Sequence, residues 1–311
     1  MEYASTKNMS REEWLQARRN GIGGSDAAAI MGASPWSTPL TVYADKTGIG
    51  PEKEETEAMR QGTDFEAIVA KRFVEETGKK VRRCNKILQH PAFPWMLANI
   101  DRDVVGENAG LECKTTSVFN PSDFEGGEVP TYYMWQCQHY MAVTGATHWY
   151  LAVMVLSKSF HVFRIKRDDK LIAALITAEE IFWKDHVLAG EPPLPCGTDA
   201  EDDVLFAMYP RSMPRSVDLS MLHTDVQTLA VLKDTLKATQ QRIDELAQKI
   251  KLKMGDAEIG HSGPFKISWK TSTRASIDSK RLKAENPDIY TMYKTETQQR
   301  RFEIRKVVKH A

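Results

Sequence analysis

Asp101, Glu112 and Lys114 are the residues of this 311-residue chain best spaced to do chemistry together. Side chains alternate along an extended strand, so Glu112 and Lys114 of GLECKTTS share one face, while Cys113 points to the other and leaves its carbonyl near the same edge. If the turn Gly106–Gly110 closes a hairpin centred near Asn108, antiparallel pairing brings Asp101 opposite the region of Lys114. Two carboxylates and a backbone carbonyl form an all-oxygen set of the kind Mg²⁺ takes, with water or a phosphate oxygen completing the octahedron. Such an ion polarises a phosphodiester and lowers the pKa of a bound water, and a neighbouring lysine stabilises the developing charge. Glu-x-Lys spacing alone equally fits a solvated hairpin face making cross-strand ion pairs.

A second constellation lies near the start. Gly21-Ile-Gly-Gly-Ser25 precedes the helix-forming run DAAAIM, and amides at a helix start with a serine hydroxyl favour an anion. The same glycines also serve as a flexible turn capping a helix. A Walker-type loop is excluded, because no Gly-Lys-Ser/Thr follows.

The elements that must position these groups read in order. SREEWLQARRNG predicts a short helix capped by Ser10, with Glu13 three residues on, closed at Asn20-Gly21. A second helix runs from Thr38-Pro39 to Gly48, and a third over 55–77 stops at Gly78. Residues 79–89 read as extended, WMLANIDRDVV and GLECKTTS as a hairpin, and 131–144 as an amphipathic helix. HWYLAVMVL and SFHVFRIKR form a further strand pair, followed by a long helix over 168–189. EPPLPCGTDAEDD reads as a linker. Leu222, Leu229, Leu236, Ile243 and Ile250 then recur every seven residues, with Leu232 and Leu246 adding a partial second stripe. This pattern describes one long amphipathic helix that packs on its own domain or forms an oligomer seam. The tail reads strand, helix, strand.

Composition bounds the reading. No apolar run approaches the length of a membrane span and the N-terminus lacks a signal-peptide core, so a cytoplasmic protein with no membrane association is expected. Cys84, Cys113, Cys137 and Cys196 lack paired short spacings, which argues against a disulfide framework, a zinc knuckle or an iron–sulfur cluster. The 42 basic and 42 acidic residues cancel. Residues 261–311 nevertheless hold 12 Lys/Arg against 5 Asp/Glu, Arg300, Arg301, Arg305, Lys306 and Lys309 among them.

Five segments in order, WLQARRNGIGGSDAAAIMGASPW, RQGTDFEAIVAKRF, ANIDRDVV, GLECKTTS and YYMWQCQHYMAVTG, resemble the YqaJ-type viral recombinases. These are relatives of the phage lambda exonuclease within the PD-(D/E)XK nuclease superfamily. The resemblance implies an α/β fold with a PD-(D/E)XK restriction-endonuclease-like core, a central mixed sheet flanked by helices. That core would span residues 1–200, followed by a linker and long helix (201–260) and a basic strand-helix-strand unit (261–311). It implies metal-dependent 5′-to-3′ digestion of double-stranded DNA ends, leaving 3′ overhangs for a single-strand annealing protein of the RecT or Bet type. It also implies Mg²⁺, with Mn²⁺ as substitute, a homotrimer ring, and phage or prophage origin in a bacterial host cell.

Carried over by motif, the resemblance marks Glu66, Asp101, Glu112, Lys114 and Gln136 as catalytic. Asp101, Glu112 and the Cys113 carbonyl would hold the metal, and Arg18 and Ser25 the 5′-terminal phosphate. Arg19 stands beside Arg18 and Gln138 beside Gln136 as alternatives. Arg102 stands where many relatives have glycine, and Asp103, two residues past Asp101, is the fallback ligand. Trp36 fits either a wedge at the duplex end or a core anchor. His139 and His148 read as structural. The rival functions are a catalytically silent DNA-end-binding scaffold and an endonuclease of the same superfamily, which would need no phosphate clamp.

Overall fold

The run His148–Val155 forms strand β7, buried at all eight positions, and its alternation divides the core in two. Trp149, Leu151, Val153 and Val155 face helix α5 (Thr131–Thr144), whose Cys137, Tyr140 and Met141 pack against them. Tyr150, Ala152 and Met154 face the opposite way, toward Val69, Ala70 and Phe73 of helix α4 (Glu57–Thr77). A strand buried on both faces reads as a continuous apolar run, which is the physical reason HWYLAVMV shows little polar alternation.

Around this strand the computed structural model places a five-stranded sheet in the order β2 (Val81–Arg83), β5 (Arg102–Val104), β6 (Ala109–Thr116), β7, β8 (Ser159–Lys166). The β6–β7 pair is parallel and the others antiparallel, so the sheet is mixed and flanked by helices, as expected. The residues described are 1–51, 55–117, 124 and 127–305. The chain divides into two compact units, Met1–Pro210 and Arg211–Ala311.

Two expected extended runs each split between sheets. Residues 79–89 give β2 and a separate β3 (Lys86–Gln89), and WMLANIDRDVV gives β4 (Leu97–Asn99) and β5. Strands β3 and β4 join β1 (Glu2–Ser5) in a second, three-stranded sheet. The chain therefore changes sheet at Ile100-Asp101. That bend frees Asp101 from ladder pairing and turns its carboxylate onto the neighbouring strand β6.

The helix boundaries follow local capping. Helix α1 (Arg11–Arg19) carries the Ser10/Glu13 capping box, and α3 (Pro39–Thr47) has Thr38 as cap and Gly48 in the left-handed conformation at its end. Helix α5 is largely buried from Gln136 to Val143, so the expected amphipathic face is absent. Helix α2 (Gly24–Ile30) packs against α5 so closely that a Cβ on Gly24 would lie 2.5 Å from Tyr140 Cε1. Gly24→Ala is expected to cost about 1–3 kcal/mol through overpacking. Thermal unfolding checks this, with a fall of roughly 2–4 °C per kcal/mol for a unit of this size.

Helix α6 (Asp169–Ile181) continues as a π-helical turn, Phe182–Leu188. The expected linker contains helix α7 (Asp199–Met208): Glu201 accepts from the amides of Cys196, Gly197 and Thr198, so the acidic cluster is a helix start.

In the second unit, helix α8 (His223–Met254) has no buried residue. It is followed by the hairpin β9 (Ile259–Ser262) and β10 (Phe265–Ser268), then α9 (Ser279–Glu285) and α10 (Pro287–Tyr293). The tail thus departs from strand-helix-strand: the first strand is a hairpin and residues 301–305 form no strand. Lys306 and Lys309 lie outside the described residues.

Candidate active site

Strand β6 pairs with β5 in the register Arg102↔Leu111 and Asp103↔Gly110. Continued by one residue, this sets Asp101 across from Glu112, two residues away from the expected partner Lys114. Asp101 Oδ2 accepts from the Cys113 amide at 2.8 Å. The difference from the simple hairpin arises because the pairing is centred between Gly106 and Glu107 rather than near Asn108.

Glu112 and Lys114 face α5. Glu112 is buried, and its Oε1 accepts from Lys114 Nζ and from Gln136 Nε2, each at 2.7 Å. Gln136 also donates to Tyr140 Oη at 2.8 Å, and the Lys114 ammonium sits 5.2 Å from the Tyr133 ring centroid. Glu112 Oε2 is buried without a hydrogen-bond partner among the described residues. Burial, then Glu112 and Glu66, push the Asp101 carboxyl well above the usual carboxylate range. Burial alone would lower the Lys114 pKa, but the Glu112 carboxylate outweighs it and the ammonium is held charged.

An unpartnered carboxylate oxygen beside a second, strained carboxyl is short of positive charge, and a divalent cation is the group that would supply it. The oxygen-only donor set fits a hard ion of the magnesium type. Burial keeps the Cys113 thiol protonated, so it offers no thiolate. Among the described residues no three His, Cys, Asp or Glu side chains converge as a metal cage.

Glu66, on α4, is engaged elsewhere. It pairs with the buried Arg102 guanidinium and lies 3.8 Å from Arg83, while Arg102 also donates to the Asp101 carbonyl at 2.7 Å. Alternation along β5 explains this: Arg102 shares the α4-facing side with Val104. Arg102 is the residue whose role the sequence left unread, and its position next to Asp101 was the signal. Asp103 accepts from Arg82 at 3.1 Å and lines a cleft of about 580 Å³ that contains neither Asp101 nor Glu112. Asp101 and Glu66 line a different cleft of about 520 Å³, with Lys7 and Arg83 supplying positive charge.

Arg18 donates to Ser25 Oγ at 2.8 Å and lies over the Trp14 ring at 4.8 Å. Asp26 contacts it at 4.0 Å and is itself held by the buried Lys46 at 2.6 Å. Burial opposes the charge on Asp26, but Lys46 and Arg18 outweigh it and bring its pKa down to about 2. Arg19 lines a separate hollow beside Trp36. Two relays join this cluster to the carboxylates: Gly24 rests on Tyr140, which bonds Gln136, and Trp14 Nε1 donates to Asn99, two residues before Asp101.

Other candidates are tied into the scaffold. Gln138 bridges the Lys166 carbonyl and the Asp168 amide, whereas Gln136 reaches Glu112. His139 bonds Glu179 and the Leu97 carbonyl, and His148 bonds Glu107, as structural histidines do. Trp36 is 66% exposed against the edge of Tyr132, so it is not a core anchor.

Residues 13–147 match the YqaJ-like viral recombinase domain. The protein YqaJ of Bacillus subtilis (strain 168) is 42% identical over 309 residues, covering 98% of this chain and 97% of that protein. The chain belongs to the YqaJ-like viral recombinase family. Among solved structures, the alkaline exonuclease LHK-Exo of Laribacter hongkongensis is similar to this YqaJ-family chain, with a TM-score of 0.50 and 25% identity. The match covers 58% of this chain and 94% of that one. The LHK-Exo complex with dAMP matches over the same shares, at a TM-score of 0.50 and 24% identity, and shows the same fold. No helix among the described residues is long and apolar enough to cross a membrane.

Proposed function

We propose that this YqaJ-family protein is a metal-dependent 5′-to-3′ exonuclease that digests one strand of duplex DNA from its end and leaves a 3′ overhang. The observation that carries the reading is the buried, unpartnered Glu112 Oε2, set beside Asp101 and next to the fixed Lys114 ammonium. Kinship with the LHK-Exo alkaline exonuclease supports the reaction class.

In this reading Asp101, Glu112 and the Cys113 carbonyl hold Mg²⁺, or Mn²⁺ in its place. The bound ion supplies Lewis-acid activation of the scissile phosphate and of the attacking water. Gln136 fixes the Glu112 carboxylate so that its second oxygen stays directed into the site. Because Glu112 keeps Lys114 protonated, Lys114 acts as a positive charge on the phosphate and a positioning group for water, not as a base. Glu66 is held by Arg102 and Arg83 beside Asp101 and adds negative charge that favours the cation.

Arg18 and Ser25 take the 5′-terminal phosphate, and the relays through Tyr140 and Asn99 set its distance from the carboxylates. The 3′ overhang would be passed to a single-strand annealing protein of the RecT or Bet type, with three copies of the chain ringing the duplex in the host cytoplasm. Arg102, which stands where many relatives have glycine, pairs with Glu66 and leaves the Asp101 carboxylate to accept from the Cys113 amide next to Glu112.

Digestion of 5′-phosphorylated linear, 5′-hydroxyl linear and closed circular duplexes by wild type and Arg18→Ala tests the clamp. The circle is expected to survive. The variant should lose activity on phosphorylated ends by about 10- to 150-fold, the worth of a charged hydrogen bond of about 1.5–3 kcal/mol, with a much smaller change on hydroxyl ends. Equal losses on both ends would remove Arg18 from phosphate recognition, and a nicked or linearised circle would indicate an endonuclease.

A further inference from the structure

The neutral charge of the whole chain conceals a division. Residues 211–311 carry 20 Lys/Arg against 12 Asp/Glu, and residues 1–210 carry 22 against 30. Within the second unit the cations stand beside exposed rings. Lys251 Nζ lies 5.9 Å from the Trp269 ring centroid, Lys283 Nζ 5.7 Å from that of Tyr290, and Lys233 Nζ 5.5 Å from that of Phe302. Phe265, Tyr293 and Phe302 are 70%, 76% and 75% exposed, and Trp269 is 45% exposed. The Trp269 amide donates to the Glu258 carbonyl at 2.9 Å, so the β9–β10 ladder runs one pair past its strands. Phe265, Ile267 and Trp269 therefore emerge on one face of the hairpin. Trp269 also lines a hollow of about 410 Å³ with Gln248, Lys251 and Leu252 of α8 and with Gly255 and Asp256. Lys251 and Lys253 lie in the last turn of α8, where cations also offset the carbonyl end of a helix. The exposed rings serve no such local purpose.

We infer that the second unit is a docking surface for single-stranded DNA, with a base stacked on Trp269 in this hollow and Lys251 on the adjoining phosphate. A single strand is the polyanion that matches both features. Its phosphates meet the surplus of lysine and arginine, and each of its bases has an open π-face for a ring. A duplex hides those faces between its own base pairs. An acidic protein would meet the lysines and leave the rings without a counterpart. Leu252 adds apolar lining to the hollow, and Gln248 and Asp256 offer hydrogen-bonding groups to the edge of a base. The surface stands on the second unit alone. The choice of DNA over RNA rests on the nuclease reading, whose product carries a single-stranded overhang.

Fluorescence anisotropy of a labelled, short circular oligothymidylate, titrated with the full-length protein in EDTA, tests the surface. The circle offers no end to the Arg18–Ser25 pair and the readout is binding alone, so the outcome is independent of nuclease activity. Wild type is expected to bind, and Trp269→Ala to weaken binding about 5- to 150-fold, the range for one base stacked on one ring. Trp269→Phe should retain most of the affinity, which separates stacking from folding of the hairpin. Lys251→Gln should lower the slope of log affinity against log salt by about 0.7, the value for one phosphate contact on a single strand. A closed circular duplex should be bound equally by wild type and Trp269→Ala. No binding of the oligothymidylate by wild type, unchanged binding by Trp269→Ala, or an equal loss on both circles would overturn the proposal. Weakened binding in Lys251→Gln with Trp269→Ala unchanged would mark a surface for an acidic protein instead.

Discussion

Lys114→Ala is expected to abolish strand cleavage while leaving duplex binding nearly intact. The ammonium is 2.7 Å from Glu112 and part-buried, 5.2 Å from the Tyr133 ring centroid, so it is placed by the fold before substrate arrives. Burial works against its charge and the Glu112 carboxylate more than restores it, which keeps the cation present across the working pH range. A preorganised donor aimed at developing charge is worth about 10²–10³ in rate, and in the proposed reading the same residue would also position the nucleophile, so the loss should lie at or above the upper end. In the proposed reading, binding would be made along the cleft by Lys7 and Arg83 and at the Arg18–Ser25 pair, which are separate from the Lys114 contacts with Glu112 and Tyr133. Single-turnover cleavage and filter binding of the same duplex separate the two effects. A variant with wild-type cleavage would remove Lys114 from the mechanism, and parallel loss of binding and cleavage would make it a docking residue.

The second large effect concerns metal and pH together. Asp101 holds its proton more tightly in the folded chain than in the unfolded one, because it is part-buried and desolvated and lies near the Glu112 and Glu66 carboxylates. A carboxyl with a raised folded-state pKa contributes stability below its unfolded value, and that contribution is lost as pH rises through the folded-state value. Metal-free protein should therefore lose stability as pH rises from the ordinary carboxylate range through the raised one. In the proposed reading a divalent cation would bind the ionised pair and restore it, by about 2.7 kcal/mol when present at about 100 times its dissociation constant. Thermal unfolding in EDTA and in Mg²⁺ should show a larger metal gain at about pH 8 than at about pH 6. Asp101→Asn should flatten the metal-free pH dependence and remove most of the gain. An equal Mg²⁺ effect in wild type and variant would place the ion elsewhere.

Much of this site was legible because its geometry is local. The alternation of Glu112, Cys113 and Lys114 along β6 directs two side chains to α5 and one to α4, as a strand of that sequence must. Ser10 with Glu13, Thr38 with Pro39, and the glycines at 48 and 78 mark helix ends by capping chemistry that needs no tertiary context. The unread parts depend on contacts distant in sequence. Nothing in WMLANIDRDVV announces that Ile100-Asp101 crosses from one sheet to another, because both halves alternate like a single strand. Arg102 departs from the glycine of many relatives, and its partner Glu66 lies 36 residues earlier in the chain. The acidic run after the proline-rich segment has a linker's composition, but Glu201 folds back on three amides and starts a helix. Trp36 has a core residue's size and a surface position, which hydrophobicity alone does not distinguish.

The most direct measurement is digestion of linear duplex DNA labelled separately at its 5′ and 3′ ends, in Mg²⁺ and in EDTA, by wild type and by Glu112→Gln. Metal-dependent release of the 5′ label first, with the complementary strand left single-stranded and no release by the variant, is the expected result. Release in EDTA, loss of the 3′ label first, or full activity in Glu112→Gln would contradict a 5′-to-3′ exonuclease built on the Asp101–Glu112 pair.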